Sequence, residues 1–339
     1  MSVPEAGSSL APRAEPALGP RSVRVDCPLC GERRPRLYRA GMYAIGRERY
    51  DLVRCPCGAV YVDPRPDPAA MARLYGDPAY YTEGYNLGVE TENYFARRGE
   101  LLAQYDREVA RLEHETGRGS SRGDLFELGS AGGFFLEAAR RRGWRVRGVE
   151  IAPTAAEYSR RELGLDVFQG ELEQAPLERQ SFDIAMADNV LEHTERPGEV
   201  LVRLRELLRP EGHLLVVVPS YVNSPWFRAL GAARRLVPRA LLGGQLVRIL
   251  KLDPEGDPGL PYHLLEFDRA TLVRLLRRVG FEVVAVEASL PLPSHLFKTE
   301  ARGPRVRFLR GVFLALDWLM RRGLLPGARL RVLARAPSG

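Results

Sequence analysis

The sequence predicts an α/β protein built on a mostly parallel sheet, with a small cysteine-rich module in front of it. Three observations carry that expectation. From residue 124 onward short apolar runs alternate with amphipathic segments, the pattern of a parallel sheet covered by helices on both faces. The first apolar run ends in a glycine-rich turn, ELGSAGG at 127–133. All four cysteines fall between residues 27 and 57.

In chain order, residues 1–22 are rich in Pro, Ala, Ser and Gly with no apolar run suited to a signal peptide, and are expected to be a disordered leader. Residues 23–63 hold the cysteines. Residues 64–122 connect, and within them 92–115 places Phe95, Leu101, Leu102, Tyr105, Val109 and Leu112 at helical spacing. DLFEL (124–128) is a buried strand and GFFLEAARRRG (133–143) a helix closed by glycine. RVRGVE (145–150) is the next strand, and 153–163 a helix with proline in its first turn. Strands follow at 166–169, 182–187 and 213–219, with a helix at 197–208. The rhythm breaks at 221–265, which is expected to be an inserted lid within a domain spanning 123–339. It resumes with a helix at 268–281, opened by Asp268, and strands at 282–288 and 328–336.

The formal charge is +7, but 48 of the 50 basic residues are arginines, and residues 301–339 alone hold nine arginines against Asp317. Charge confined to one tail, without a recognition module, disfavours a nucleic-acid partner. In that tail Phe308, Val312, Phe313, Leu316, Leu319 and Met320 recur at helical spacing between Arg305, Arg307, Arg310, Arg321 and Arg322. Such a helix must bury its face. Two surfaces are open to it: the domain's own flank, or, together with Arg228, Arg234, Arg235 and Arg239, weak peripheral contact with an anionic membrane. No apolar run reaches transmembrane length, and the expected location is the cytoplasm.

A strand ending in a tight glycine turn aims the amides of the following helix at a ligand. A dinucleotide fingerprint, G-x-G-x-x-G, would need glycines at 131 and 134, where Ala131 and Phe134 stand. The turn is instead E-x-G-x-A-G-G, opened by Glu127. A carboxylate there repels a pyrophosphate and suits a ligand carrying an ammonium and a sulfonium. From about 122 to 336 the sequence resembles the class I S-adenosylmethionine-dependent methyltransferases. Glu127, Gly129 and Gly133 match their first motif, with Ala131 replacing its middle glycine. The resemblance implies a Rossmann-like seven-stranded sheet whose last strand runs antiparallel between its neighbours. It also implies that Glu150, with Ile151 beside it, grips the ribose, and that Glu171 and Leu172 recognise adenine. Asp188 and Asn189 then lie at the mouth where the methyl group emerges.

Cys27-Pro-Leu-Cys30 and Cys55-Pro-Cys57 form two knuckles spaced as in a zinc ribbon, a structural site for Zn2+ with four thiolates. The second knuckle is one residue short. The Pro- and Tyr-rich stretch after it resembles the segment between such ribbons and methyltransferase domains in natural-product, deoxysugar and surface-polysaccharide enzymes. Tyr80, Tyr81 and Tyr85 there either cover the cofactor and acceptor or pack on the domain.

Methyl transfer needs a positioned acceptor, and a general base only where the acceptor is protonated. His193, in VLEH after the fourth strand, and His263, in PYHLLEF at the end of the lid, are the candidate bases, with Tyr262 behind them. The resulting expectation is an enzyme that methylates a small molecule: a sugar, a natural product, or a lipid or polysaccharide precursor. The alternative is a methyltransferase-like binding or assembly protein that transfers no methyl group.

Overall fold

The computed structural model describes residues 22–45, 47–77, 81, 93–119, 122–220, 222, 263–290, 304–325 and 327–338. The leader up to 21, nearly all of the expected lid, and Tyr80, Tyr85, Tyr262, Arg228, Arg234, Arg235 and Arg239 lie outside the described residues.

The N-terminal region contributes strands β1 (Ser22–Val23), β2 (Arg36–Ile45), β3 (Glu48–Arg54), β4 (Val60–Val62) and β5 (Arg65–Pro66), then helices α1 (Pro68–Gly76) and α2 (Arg98–Glu115). Asp67 caps α1 by accepting from the Ala70 amide at 2.7 Å. The helix expected over 92–115 starts later than its apolar spacing implies. Tyr94–Arg97 form a 3-10 turn, capped by Asn93, which aims Tyr94 and Phe95 away from the seam of α2 and toward the glycine turn.

The core beyond residue 122 follows the expected alternation: β6 (Asp124–Leu128), α3 (Phe134–Arg141), β7 (Arg145–Glu150), α4 (Pro153–Leu163), β8 (Val167–Gln169), β9 (Phe182–Asp188), α5 (Pro197–Leu207) and β10 (Leu208–Pro219). Beyond the insertion come β11 (Leu265–Glu266), α6 (Arg269–Val279), β12 (Glu282–Ser289), α7 (Pro304–Arg321) and β13 (Arg329–Arg335). A capping box between Asp268 and Thr271 opens α6. Seven strands form one sheet in the order β12-β13-β10-β9-β6-β7-β8. The pairs from β10 through β8 are parallel, and β13 runs antiparallel to both β10 and β12. The Rossmann-like sheet implied by the resemblance is therefore present, with its antiparallel strand inside the sheet. Strand order reverses at β6, and the crevice beyond the carboxyl end of such a strand is where open α/β sheets bind ligands.

A strand pairing and an ion-pair cluster are among the joints that tie the N-terminal region to this core. Strand β11 pairs with β4, so the four-stranded sheet β11-β4-β3-β2 takes its last strand from beyond the insertion. Buried Arg331 on β13 bonds Glu108 and Glu115 of α2, each at 2.7 Å.

Helix α7 differs from its expected amphipathic seam. Met320 is buried and Asp317 accepts from the Leu290 amide at 2.9 Å, so one side meets the domain. Val312 and Leu316 of the same seam are exposed, as are Leu314 and Trp318, and the Arg322 guanidinium stacks over the Trp318 ring at 4.6 Å. The helix is apolar on more than one side, which the spacing of its largest residues conceals. No helix among the described residues is long and apolar enough to cross a membrane.

Strand β13 buries Leu330, Val332, Leu333 and Ala334 between two neighbours. Each large side chain contributes about 1.5–3 kcal/mol, against a typical total stability of about 5–15 kcal/mol. Deleting 328–339 is expected to abolish cooperative folding; a truncated chain with a wild-type thermal transition by circular dichroism would contradict the placement of β13.

Candidate active site

The glycine turn leaves β6 at Gly129, whose φ of +69° is open to glycine, and where an added Cβ would lie 2.5 Å from the Val190 side chain. Ala131 also has positive φ, +46°, a conformation that costs an alanine roughly 1 kcal/mol. Two hydrogen bonds hold it there: its N–H donates to Glu150 Oε2 at 2.7 Å, and its carbonyl accepts from the Ser159 hydroxyl at 3.0 Å. The methyl group that departs from the glycine motif is thus tolerated by anchoring the backbone on both sides. At Gly132 the restriction is space, because a Cβ would meet the Tyr94 ring at 2.9 Å.

Glu150 ends β7 and is almost wholly buried. Besides the Ala131 amide it accepts from the Ala152 amide at 2.8 Å and from the Tyr81 hydroxyl at 3.4 Å. Glu127, on β6, is equally buried; its Oε2 has no hydrogen-bond partner among the described residues. Burial first, then repulsion from Asp188 and Glu150, pushes its carboxyl well above the usual carboxylate range, opposed only by a bond from the Leu136 amide. Burial also raises Glu150, against the pull of the backbone amides. It raises Asp188 against the attraction of Arg329, whose guanidinium stands 3.4 Å from it. Three carboxyls crowded out of water beside a glycine turn are a site short of a cation.

The aromatic residues of the connector cover this cluster. Tyr81 stacks on Phe95 at 5.9 Å and meets Tyr94 edge-on at 5.6 Å, and Phe95 stacks on Tyr158 at 4.3 Å. The Tyr94 phenol is pushed up by burial and by Glu127 and Glu150, and is engaged by the Gly132 amide. Tyr94 was not among the expected site residues; two adjacent aromatics placed before an amphipathic helix were the available signal. Of the other expected residues, Ile151 is exposed beside Glu150 and Glu171 is exposed at the head of a short turn. The Leu172 side chain lies in the core. Asn189 is exposed with φ of +53°, its amide donating to the Val217 carbonyl at 2.8 Å.

The two candidate histidines meet. Their rings lie 5.0 Å apart, edge to face. His193 Nδ1 is 2.9 Å from the Tyr75 hydroxyl. His263 Nδ1 is 3.6 Å from Glu266 Oε1, and that oxygen accepts from the Tyr43 hydroxyl. The backbone supports the pairing, since the Leu264 amide donates to the Glu192 carbonyl at 2.8 Å.

The four cysteines converge as well. Cys27 and Cys57 sulfurs are 3.7 Å apart, and those of Cys30 and Cys55 3.4 Å. All four ligand atoms lie within 4.8 Å of one another. Burial pushes the Cys55 thiol up to about 11 and Cys27 higher, so these sulfurs become thiolates only with a cation among them. The short second knuckle still brings both of its sulfurs into the cluster.

Residues 126–216 match the family described as methyltransferase domain. The chain carries a class I S-adenosylmethionine-dependent methyltransferase domain. It is 32% identical over 102 residues to the mitochondrial ubiquinone biosynthesis O-methyltransferase of Schizosaccharomyces pombe, covering 27% of this chain and 36% of that protein. It is 24% identical over 196 residues to the ubiquinone biosynthesis O-methyltransferase of Neisseria meningitidis, covering 51% of this chain and 82% of that protein. The chain thus spans about a third of the length of the first relative. A solved S-adenosylmethionine-dependent methyltransferase from Archaeoglobus fulgidus superposes with a TM-score of 0.44 at 17% identity, covering 72% of this chain and all of that one. The strand order, not this partial superposition, carries the fold.

The raised carboxyls of Glu127 and Glu150 would make the binding of a cationic ligand beside them pH-dependent. In the ligand-free protein they hold protons above their ordinary 4.5, so their ionisation destabilises the fold as pH rises from that value through the folded ones. A cationic ligand favours the ionised forms. S-adenosylmethionine binding is therefore expected to release protons and to tighten as pH rises. Calorimetry in buffers of different ionisation enthalpy measures this; proton uptake on binding would contradict it.

Proposed function

We propose that this protein is an S-adenosylmethionine-dependent methyltransferase acting on a hydroxyl of a small-molecule acceptor. The observation that carries the reading is the buried Glu127–Glu150–Asp188 cluster beside the glycine turn, with one Glu127 oxygen left without a partner among the described residues. That donor set fits a ligand bearing positive charge and rejects a pyrophosphate. The names of the relatives in ubiquinone biosynthesis support oxygen as the acceptor atom, and a sugar, a natural product or a lipid precursor each supplies one.

In this reading Glu150 holds the ribose, Ile151, Glu171 and the Leu172 backbone border the adenine, and Glu127 with the turn Gly129, Ala131 and Gly133 receives the amino-acid end. Asp188 and Asn189 border the mouth. When bound, the cofactor supplies an electrophilic methyl group on a sulfonium. The chain's own work is to exclude water, through Tyr81, Tyr94 and Phe95, and to orient an acceptor hydroxyl while taking its proton near His193 and His263. The four cysteines hold a structural Zn2+ away from the chemistry, since four thiolates leave no open coordination position.

S-adenosylhomocysteine should bind with micromolar affinity, and incubation with methyl-labelled cofactor and a panel of phenols, sugars and polyprenyl phenols should label one class. Glu150→Ala is expected to weaken S-adenosylhomocysteine binding by about 2–3 kcal/mol; unchanged affinity by calorimetry would refute the ribose assignment. Binding without label transfer to any acceptor would favour the non-catalytic binding or assembly role. Protein purified without chelator should contain one zinc per chain, lost from a Cys55→Ser/Cys57→Ser variant that keeps its methyltransferase core folded. Elemental analysis showing no zinc in the wild type would refute the metal site.

A further inference from the structure

Of the two candidate bases, His193 lies between a tyrosine hydroxyl and a buried carboxyl. His193 is largely buried; its Nδ1 is engaged by the Tyr75 hydroxyl at 2.9 Å, and its Nε2 points inward, 3.7 Å from Glu192 Oε1. Glu192 is fully buried, and neither of its carboxylate oxygens has a hydrogen-bond partner among the described residues. Tyr75, on α1, is the half-exposed end of this row. A tyrosine, a histidine and a buried acid thus stand in line from the surface inward.

We propose that Tyr75, His193 and Glu192 form a proton relay whose outer hydroxyl meets the methyl acceptor. The residue that first takes the acceptor's proton then lies on α1, outside the methyltransferase sheet. The proposal rests on the methyltransferase reading above and adds to it the path of the proton. At rest the Tyr75 O–H donates to His193 Nδ1, and the ring keeps its hydrogen on Nε2, facing Glu192. As the acceptor hydroxyl is deprotonated, its proton passes to Tyr75 Oη, the Tyr75 proton moves to Nδ1, and the Nε2 proton moves to a Glu192 oxygen. One proton leaves the acceptor, one carboxylate becomes a carboxylic acid, and Tyr75 and His193 end as neutral as they began. The 3.7 Å gap closes on ligand binding, as such contacts commonly do.

The surroundings favour a proton arriving at Glu192. Burial, then repulsion from Asp188 and Glu266, raises its carboxyl well above the ordinary range, against the opposing pull of its own amide and Arg329. The other groups facing the row are His263, with Glu266 and Tyr43 behind it, and the Arg65–Glu195 ion pair two residues along. The same stretch of chain is fixed at its far end, since Tyr81, six residues after Tyr75, reaches Glu150. One short segment therefore spans from the proposed relay to the proposed ribose site.

The test uses the full chain, free and with S-adenosylhomocysteine, and reads the imidazole nitrogens of His193 by 15N NMR, assigned with a His193→Asn variant. The expected wild-type state has an accepting Nδ1 and a protonated Nε2. Tyr75→Phe, which deletes one oxygen from a half-exposed side chain, should shift Nδ1 and leave S-adenosylhomocysteine affinity unchanged. Glu192→Gln should remove the preference for a protonated Nε2. With any acceptor found in the panel, both variants should slow turnover by about 100-fold, and Tyr75→Phe should move the pH profile of kcat. A protonated Nδ1 in the wild type, wild-type nitrogen resonances in Tyr75→Phe, or full turnover by that variant would overturn the relay. Loss of S-adenosylhomocysteine binding by the wild type would overturn the methyltransferase reading instead, while the ligand-free resonances still decide the relay.

Discussion

Glu150 joins three parts of the chain that have no covalent reason to meet. Its two oxygens receive the Ala131 amide of the glycine turn, the Ala152 amide at the head of α4, and the Tyr81 hydroxyl of the connector. A carboxylate that accepts several bonds orders its donors as firmly as they order it. The left-handed backbone at Ala131, the start of α4 and the aromatic cover over the turn all share this one side chain as a partner. Glu127 and Asp188 then add carboxyls whose ionisation burial opposes, with Arg329 at 3.4 Å countering this at Asp188. The fold accepts that instability because the sheet below is closed by apolar residues throughout. Phe126, Ile184, Ala185, Val216 and Val332 are all fully buried.

The sheet was legible because each of its strands is an apolar run bounded by turn residues, and each covering helix carries its own start or stop. Pro153 and Pro197 each open a helix, Gly164 closes the first of these, and Gly280 closes the one opened by Asp268. Glu127 stood out for a related reason, since a carboxylate at the end of a buried strand is out of place unless something recognises it, whereas Glu150, Glu171 and Asp188 were expected only from the resemblance. What stayed hidden depends on long-range contact. Tyr43 and Glu266 are separated by 223 positions, and Tyr75 and His193 by 118. No local pattern encodes either meeting. Strand β11 has two residues, too few for a period to show. Glu192 was passed over because His193 beside it carried the recognisable chemistry, although an acid at full burial is the rarer event.

Helix α7 teaches the complementary lesson. Spacing alone assigned its largest side chains to one buried seam, yet Leu314 and Trp318 stand outside that seam and are well exposed. When apolar residues occupy most of a helix's circumference, periodicity no longer selects a face, and only the neighbours decide. Here Asp317 decides, by bonding the Leu290 amide and Arg321 on one side of the helix.

The pairing of β11 with β4 bears on how such a chain can evolve. A small cysteine-bearing module joined to a larger domain by a linker can be gained, lost or exchanged as a cassette. This one cannot, because β4 would be left with an unpaired edge on one side, and exposed edges invite wrong partners. The Arg274 side chain, bonded to the Cys57 carbonyl, and the Tyr43–Glu266 contact would be severed by the same cut. Any recombination that moves the cysteines must carry the strand that follows the insertion with them. The two halves of the chain are therefore bound to descend as one inheritance unit, and shuffling among relatives is confined to the insertion between β10 and β11 and to segments outside the shared sheet.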